Sequence, residues 1–336
     1  MNDMGVAAQV LKPIAPSPGI GRPATAVLIP CYNEARTIGR VVRDFASVLP
    51  NTPIYVYDNN SEDDSIGEAM RAGAIVRRES KQGKGNVVRR MFADIDADIY
   101  VLADGDDTYE TLAAPGMIQR LISGNLDMVN GARHAASRTA YRRGHQFGNT
   151  MLNRIVANLF GDQFTDMLSG YRVFSRRFVK SFPALAKGFE IETEFTVHAL
   201  ELRMPVDEVV TDYRERPDGS ESKLRTFHDG FRILWMILRL LKEERPLYFF
   251  GAVFGLCASI AMMLMTPVFL SYLETGMVAR FPTAILSSAL MLLGFISLAC
   301  GMILDTVTHG RKELKRLRYL EFASTRALFA DAAGDD

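Results

Sequence analysis

The stretch I-Y-V-L-A-D-G-D-D, residues 99–107, passes from an unbroken apolar run to three carboxylates around one glycine. Ile99–Ala103 has the length and side chains of a strand buried on both faces. Gly105 permits a tight turn at its end, so Asp104, Asp106 and Asp107 emerge together at a strand terminus. Two carboxylates one residue apart there can hold a hard cation of the Mg²⁺ or Mn²⁺ type, which can bridge to a nucleotide diphosphate. A solvated acidic turn would look the same in isolation, so the surroundings decide between them. An EF-hand loop is excluded, because Tyr109 stands where its glycine is needed and no glutamate closes the loop.

Outward from this stretch, β-rich runs alternate with helical ones. Strands are expected over 24–30, 54–58, 74–78, 99–103 and 126–130, and helices over 37–49, 65–72, 85–95 and 115–123. The alternation predicts an α/β fold, a mostly parallel sheet with helices on both faces. Ligands of such sheets lie beyond the carboxyl ends of the strands. That singles out Pro30-Cys31-Tyr32-Asn33-Glu34, Asp58-Asn59-Asn60-Ser61 and the acidic group at 104–107. Asp58 and the acidic group then converge on one crevice, which favours a metal and nucleotide site. The cluster Gly83-Lys84-Gly85 does not extend to G-x-G-x-x-G or follow the first strand, and no G-x-x-x-x-G-K-[ST] is present. Dinucleotide hydride transfer and P-loop phosphoryl transfer are thereby disfavoured. Lys84 itself stands among the donor-binding candidates.

The chain has 39 Lys and Arg against 39 Asp and Glu, which argues against a nucleic-acid binder that tracks phosphates by a basic excess. The charges are unevenly spread, however. Between Pro246 and Leu304 only Glu274 and Arg280 are charged, and a soluble core helix is rarely uncharged on every face. Two transmembrane helices are expected, over 246–273 and 281–304, each able to cross about 30 Å of hydrocarbon. Glu274-Thr275-Gly276 forms the turn of the hairpin. Arg239, Lys242 and Arg245 precede it and Arg311, Lys312, Lys315, Arg316 and Arg318 follow it, so the positive-inside rule puts both flanks in the cytoplasm. Lys12, Pro13, Pro16 and Pro18 interrupt the first twenty residues, which do not read as a signal peptide. None of the three cysteines pairs at metal-ligand spacing. The expected organisation is a disordered tail over 1–22, a cytosolic catalytic domain over 23–225, an amphipathic interfacial helix over 226–245, the hairpin, and a basic cytosolic segment over 305–336. This describes a multi-pass protein of the inner (plasma) membrane, in contact with the lipid bilayer. Two spans alone bury little surface, so a homo-oligomer is also expected.

V-L-I-P-C-Y-N-E at 27–34, V-Y-D-N-N-S at 56–61 and A-D-G-D-D-T-Y at 103–109 resemble the signature segments of family 2 glycosyltransferases, which have the GT-A fold. D-M-L-S-G-Y-R at 166–172 and S-K-L at 222–224, followed by the hairpin, are similar to the polyprenyl-phosphate glycosyltransferases, relatives of dolichol-phosphate mannose synthase. The resemblance runs over residues 24–304, and five motifs in order are more specific than any one. It implies that Pro30, Tyr32 and Glu34 line the nucleoside pocket, that Asp58 hydrogen-bonds the base, and that Asp104 and Asp106 act on ribose and diphosphate with Mg²⁺ or Mn²⁺. It also implies a nucleotide-sugar donor, with UDP favoured, and a polyprenyl-phosphate acceptor. Asn59 and Asn60 depart from the pattern, standing where many relatives carry an acidic residue and a glycine, and Asp107 extends the acidic group. The ligand set, and whether Asp107 or Thr108 belongs to it, stays open.

Transfer from such a donor requires cationic groups to stabilise the departing diphosphate. Arg133 in G-A-R, Arg143 and Lys223 are the candidates. A phosphate acceptor, with a second pKa of about 6, is already largely dianionic and needs positioning rather than deprotonation. Asp166 is therefore assigned to orienting arginine or acceptor groups, and Glu192 and Glu194 compete as bases only if the acceptor is a hydroxyl. One in-line displacement would invert the anomeric centre. A processive polysaccharide synthase would show more spans and a Q-x-x-R-W motif, neither of which is found. A non-catalytic nucleotide-sugar sensor is disfavoured by the intact D-x-D.

Overall fold

The computed structural model describes residues 24–135, 164–186, 188, 190–213, 241–325 and 327. Its first half alternates strand and helix: β1 Thr25–Cys31, α1 Ile38–Val48, β2 Ile54–Asp58, α2 Ser65–Arg71, β3 Ile75–Arg78, α3 Lys84–Asp94, β4 Ile99–Leu102, α4 Ala113–Ser123 and β5 Met128–Ala135. These agree with the expected elements to within a few residues. The reason is strong local patterning: α1 buries Ile38, Val41, Val42 and Phe45, one face of a 3.6-residue period. In β1 every residue after Thr25 is buried, as a central parallel strand requires.

β6 Arg172–Ser175, α5 Arg176–Ser181, α6 Ile191–Glu201 and β7 Val206–Tyr213 follow among the described residues. Among the described residues the sheet has seven strands, in the order β3-β2-β1-β4-β6-β5-β7. β6 runs antiparallel to both neighbours, pairing Val101 with Val173 and Val129 with Val173. The strand expected over 126–130 is therefore not adjacent to β4, because β6 lies between them. Only four residues long and opening on an arginine, β6 has no pattern by which sequence periodicity could find it.

Side chains alternate across the sheet. Leu28, Tyr100, Leu102 and Phe174 face one core with Met91, Phe92, Phe178 and Phe195. Val27, Ile29, Val101 and Val173 face the other with Val41, Phe45 and Met117. β1 pairs in parallel with β2 on one side and β4 on the other, the point at which strand order reverses. Pairing with β4 ends at Leu28 and Leu102. Pro30, the next residue whose N–H would face β4, has none to give, so the strands part there and open a crevice.

Two long helices follow, α7 Pro246–Thr275 and α8 Phe281–Leu320. Each contains a window of mean hydropathy 2.1, of which only 11% and 17% is buried. They are long and apolar enough to cross a membrane, and a soluble core helix would be mostly covered. Ser287, Gly294, Gly301 and Thr308, the buried small residues of α8, recur every seventh position. A Cβ on Gly301 would lie 2.9 Å from Phe250 Cβ, and Ser287 Oγ donates to Ala261 O at 2.7 Å. Small residues thus let the two backbones approach and place polar groups where they find partners.

α8 does not stop where its charges begin at Asp305 but continues to Leu320. Its last turns dock on the α/β domain. Tyr319, buried, donates to Asp127 Oδ2 at 2.8 Å, Lys315 pairs with Glu201 at 2.7 Å, and Arg316 donates to Leu202 O at 3.0 Å.

Candidate active site

The loops after β1 and β2 are tied to each other. Asn33, at a φ of 53°, accepts from Glu62 N through its Oδ1 at 2.7 Å and donates its own N–H to Ser61 Oγ at 2.9 Å. Glu34 N donates to Ser65 Oγ at 2.8 Å. Pro30 is buried at the strand end and Tyr32 is half-buried beyond it. Between them Cys31 is a buried thiol whose pKa is pushed up by burial and by the Glu34 charge, which disfavours the thiolate. Asp58 is fully buried and takes Ser61 N at 3.3 Å, with Arg78 at 3.5 Å.

The departing residues Asn59 and Asn60 build a loop. Asn59 Nδ2 donates to Glu79 O and Lys81 O, both at 2.9 Å, and its Oδ1 accepts Gly83 N at 2.7 Å. Asn60, at a φ of 65°, donates to Ser80 O and Gln82 Oε1. This fixes residues 79–83 and so the start of α3, where Lys84 stands.

Lys84 reaches across the crevice to two carboxylates, Asp104 Oδ1 at 2.5 Å and Glu192 Oε1 at 2.6 Å. Burial works against its charge, but Asp104 and Glu192 outweigh it and hold its pKa above the usual lysine value. Burial raises Glu192, an effect that Lys84 counters and Asp104 reinforces. Gly105 and Gly170 let these charges come together. A Cβ at Gly105 would collide with Glu34 Oε2, and one at Gly170 would lie 2.6 Å from Asp104 Oδ2.

The other two acidic residues have partners of their own. Asp106 is buried, and its Oδ1 accepts the Thr108 hydroxyl at 2.6 Å. Asp107, at a φ of 58°, pairs with Arg40 of α1 at 3.1 Å. Asp107 is thus spent on α1, and Thr108 supports Asp106.

Arg133 on β5 grips Asp166 through two bonds, Nε to Oδ2 at 2.6 Å and Nη2 to Oδ1 at 2.8 Å, with its guanidinium over Tyr213. Burial would raise Asp166, but the hydrogen bonds and charge of Arg133 overcome it and hold the carboxyl below the usual range. Arg172 is fully buried and donates to Ser169 O, Met167 O and Thr196 Oγ1. It staples the 166–170 loop against α6. Tyr109 Oη accepts Gly170 N at 2.8 Å and joins this loop to the end of β4.

Pro30, Tyr32, Glu34, Asp58, Lys84, Asp104 and Asp106 therefore lie around one strand-end crevice, with Arg133 and Asp166 on its β5 side. Arg143 and Lys223 lie outside the described residues, as do residues 1–22 and most of 226–245. Glu192, a candidate base for a hydroxyl acceptor, is instead bound to Lys84. Glu194 is occupied by the backbone N–H groups of Leu185 and Ala186 at 2.9 and 2.8 Å. No spacing rule connects Lys84 to Glu192, which lie 108 residues apart.

An α/β sheet with carboxylates and cations gathered at its switch point has its candidate site where such sheets bind ligands, beyond the carboxyl ends of the strands. Residues 26–182 match the model of glycosyl transferase family 2. The chain is 36% identical to the glycosyltransferase AglJ of Haloferax volcanii over 307 residues, 89% of this chain and 98% of that protein. It is 28% identical to the dolichyl-phosphate hexose transferase of the same organism over 220 residues, 66% of this chain and 95% of that one. Among solved structures, the glucosyl-3-phosphoglycerate synthase of Mycobacterium tuberculosis in complex with Mn²⁺, UDP-glucose and phosphoglyceric acid shares the fold. Its TM-score is 0.53 at 23% identity, covering 66% of this chain and 79% of that one. The chain belongs to the family 2 glycosyltransferases and has the GT-A fold.

Proposed function

We propose that this glycosyltransferase moves a sugar from a nucleotide-diphosphate sugar, a UDP-sugar first among them, to a polyprenyl phosphate at the cytoplasmic face of the membrane that α7 and α8 cross. The observation that carries the reading is the crevice itself, with Asp104 and Asp106 after β4 and the Arg133–Asp166 pair at β5, on a domain fastened to an apolar hairpin through Tyr319 and Asp127. The dolichyl-phosphate hexose transferase supports the acceptor class, and the Mn²⁺ and UDP-glucose complex supports the donor class.

A divalent cation suits the residues present. No group of three metal-ligating His, Cys, Asp or Glu side chains occurs among the described residues. Mg²⁺ and Mn²⁺ bound with substrate phosphates need only one or two carboxylates, and Gly170 brings no side chain against Asp104, whose Oδ2 a Cβ there would meet at 2.6 Å. Asp104 and Asp106 would hold the ion, which when bound offsets the charge gathering on the departing diphosphate. Tyr32 offers the base a face, and Asp58 an acceptor for a base N–H. Arg133, oriented by Asp166, presents a fixed guanidinium to an acceptor or leaving phosphate. The acceptor needs no deprotonation, consistent with Glu192 and Glu194 both being engaged elsewhere. A single displacement then inverts the anomeric carbon.

The test is incubation of detergent-purified protein with Mg²⁺ or Mn²⁺, several nucleotide sugars and undecaprenyl phosphate, followed by mass analysis and NMR of the lipid. A glycosylated lipid phosphate of inverted configuration is the expected product, and Asp106→Ala should reduce it by about a hundredfold or more. Transfer only to hydroxyl acceptors, or a retained configuration, refutes the reading.

A further inference from the structure

Resting on the metal and donor site just proposed, we infer that Lys84 is a resident counter-cation of Asp104 and that Glu192 is the positioning residue that receives it when a divalent cation arrives. Lys84 Nζ is shared between Asp104 Oδ1 and Glu192 Oε1 at 2.5 and 2.6 Å. The side chains of Lys84 and Glu192 are 9% and 6% exposed, whereas that of Asp104 is 26% exposed and faces the crevice. A divalent ion bound to Asp104 would sit within a few ångströms of the ammonium, where like charges repel strongly in a poorly solvated site. Lysine and metal therefore compete for one carboxylate.

A displaced lysine needs another partner, because a buried ammonium left alone is costly. Glu192 supplies one. Its Oε2 is buried with no hydrogen-bond partner, so the carboxylate has an acceptor in reserve for Lys84 to take up on leaving Asp104. The space is tight: a Cβ at Gly170 would lie 2.9 Å from Lys84 Nζ as well as 2.6 Å from Asp104 Oδ2. Small movements of the ammonium thus change which carboxylate it neutralises. A nucleotide diphosphate brings negative charge that compensates metal and lysine together. Metal alone should bind poorly and metal with nucleotide should bind cooperatively.

Mn²⁺ titration of the full-length protein in detergent, read by the electron paramagnetic resonance of free Mn²⁺, tests this with and without UDP. Lys84→Met should tighten nucleotide-free Mn²⁺ binding by about tenfold or more and shrink the effect of UDP. Glu192→Gln should weaken it by a similar factor, because the lysine then has only Asp104. In the Lys84→Met background Glu192→Gln should change affinity by no more than about threefold. A purely structural role would lower thermal stability without these opposite shifts. Should Lys84→Met alone not fold, the double variant carries one bare carboxylate fewer, and its tighter Mn²⁺ binding relative to Glu192→Gln gives the same answer. Binding that Asp104→Asn abolishes but Lys84 and Glu192 do not alter overturns the inference alone. Binding that Asp104→Asn leaves unchanged overturns the metal reading beneath it as well.

Discussion

At His198 burial has placed a titratable ring where it cannot readily take a proton. The ring contacts Phe178 and Phe182, its Nε2 meets Ser181 Oγ at 3.1 Å, and its Nδ1 is buried without a partner. Burial, assisted by the nearby Lys315 charge, lowers its pKa from 6.5 to about 3. The unfolded chain therefore binds a proton below about pH 6.5 that the folded one refuses, so stability is full above that pH and declines as pH falls toward the folded value. The expected slope is at most about 1.4 kcal/mol per pH unit. Asp166, also held low, acts in a separate window, below its unfolded value of 3.8. Thermal melts between about pH 7 and pH 5 should show the decline, and His198→Gln, which keeps a partner for Ser181, should flatten it. An unchanged profile would mean that the folded ring is protonated after all.

At the scale of elements, α8 is the piece that joins the two halves. Asp127, wholly buried just before β5, accepts from Ser175 Oγ at 2.7 Å and pairs with Arg177, and Tyr319 closes this cluster from outside the domain. The Tyr319 ring lies between the guanidiniums of Arg177 and Arg316, at 4.8 and 5.0 Å. Tyr319→Phe removes one hydrogen bond to a buried carboxylate that keeps two other partners, and should cost about 1.5 kcal/mol. Tyr319→Ala also empties the ring site and should cost about 3 kcal/mol. Thermal denaturation of the solubilised protein, followed separately for the domain and for the hairpin, checks the order. Equal melting of both variants and the parent would show that α8 is not held there. The same helix explains why the expected boundary at residue 304 marks a change of surroundings and not a helix end. Charge density changes there, while the helical propensity of Arg, Lys, Glu and Leu carries the backbone on.

For the whole molecule, the outer faces of α7 and α8 are apolar, with Met262, Met263, Leu273 and Ile303 among the exposed side chains, and the basic residues gather at the domain end of the hairpin. If the hairpin crosses the membrane with that end in the cytoplasm, a thiol at Met277→Cys in a Cys300→Ser background should react with an impermeant maleimide from outside intact cells. One at Ser324→Cys should react only after lysis. Labelling of both from one side would place the hairpin on the surface of the bilayer instead.

The elements up to residue 130 and the hairpin were legible in the chain itself, because local periodicity and a charge gap over 246–304 are one-dimensional signals. So were the strand-end motifs that hold Pro30, Asp58, Asp104 and Asp106, since each follows its strand directly. The tertiary structure alone decided the rest. The insertion of β6 between β4 and β5, the grip of Arg133 on Asp166, the shared lysine between Asp104 and Glu192 and the docking of Tyr319 on Asp127 join residues far apart in sequence. Their partners are chosen by burial, since a buried charge must find its counterpart wherever the fold brings one within reach. The residue types at Asp107 and Thr108 did not reveal their partners, which in the fold are Arg40 on α1 and the Asp106 carboxylate.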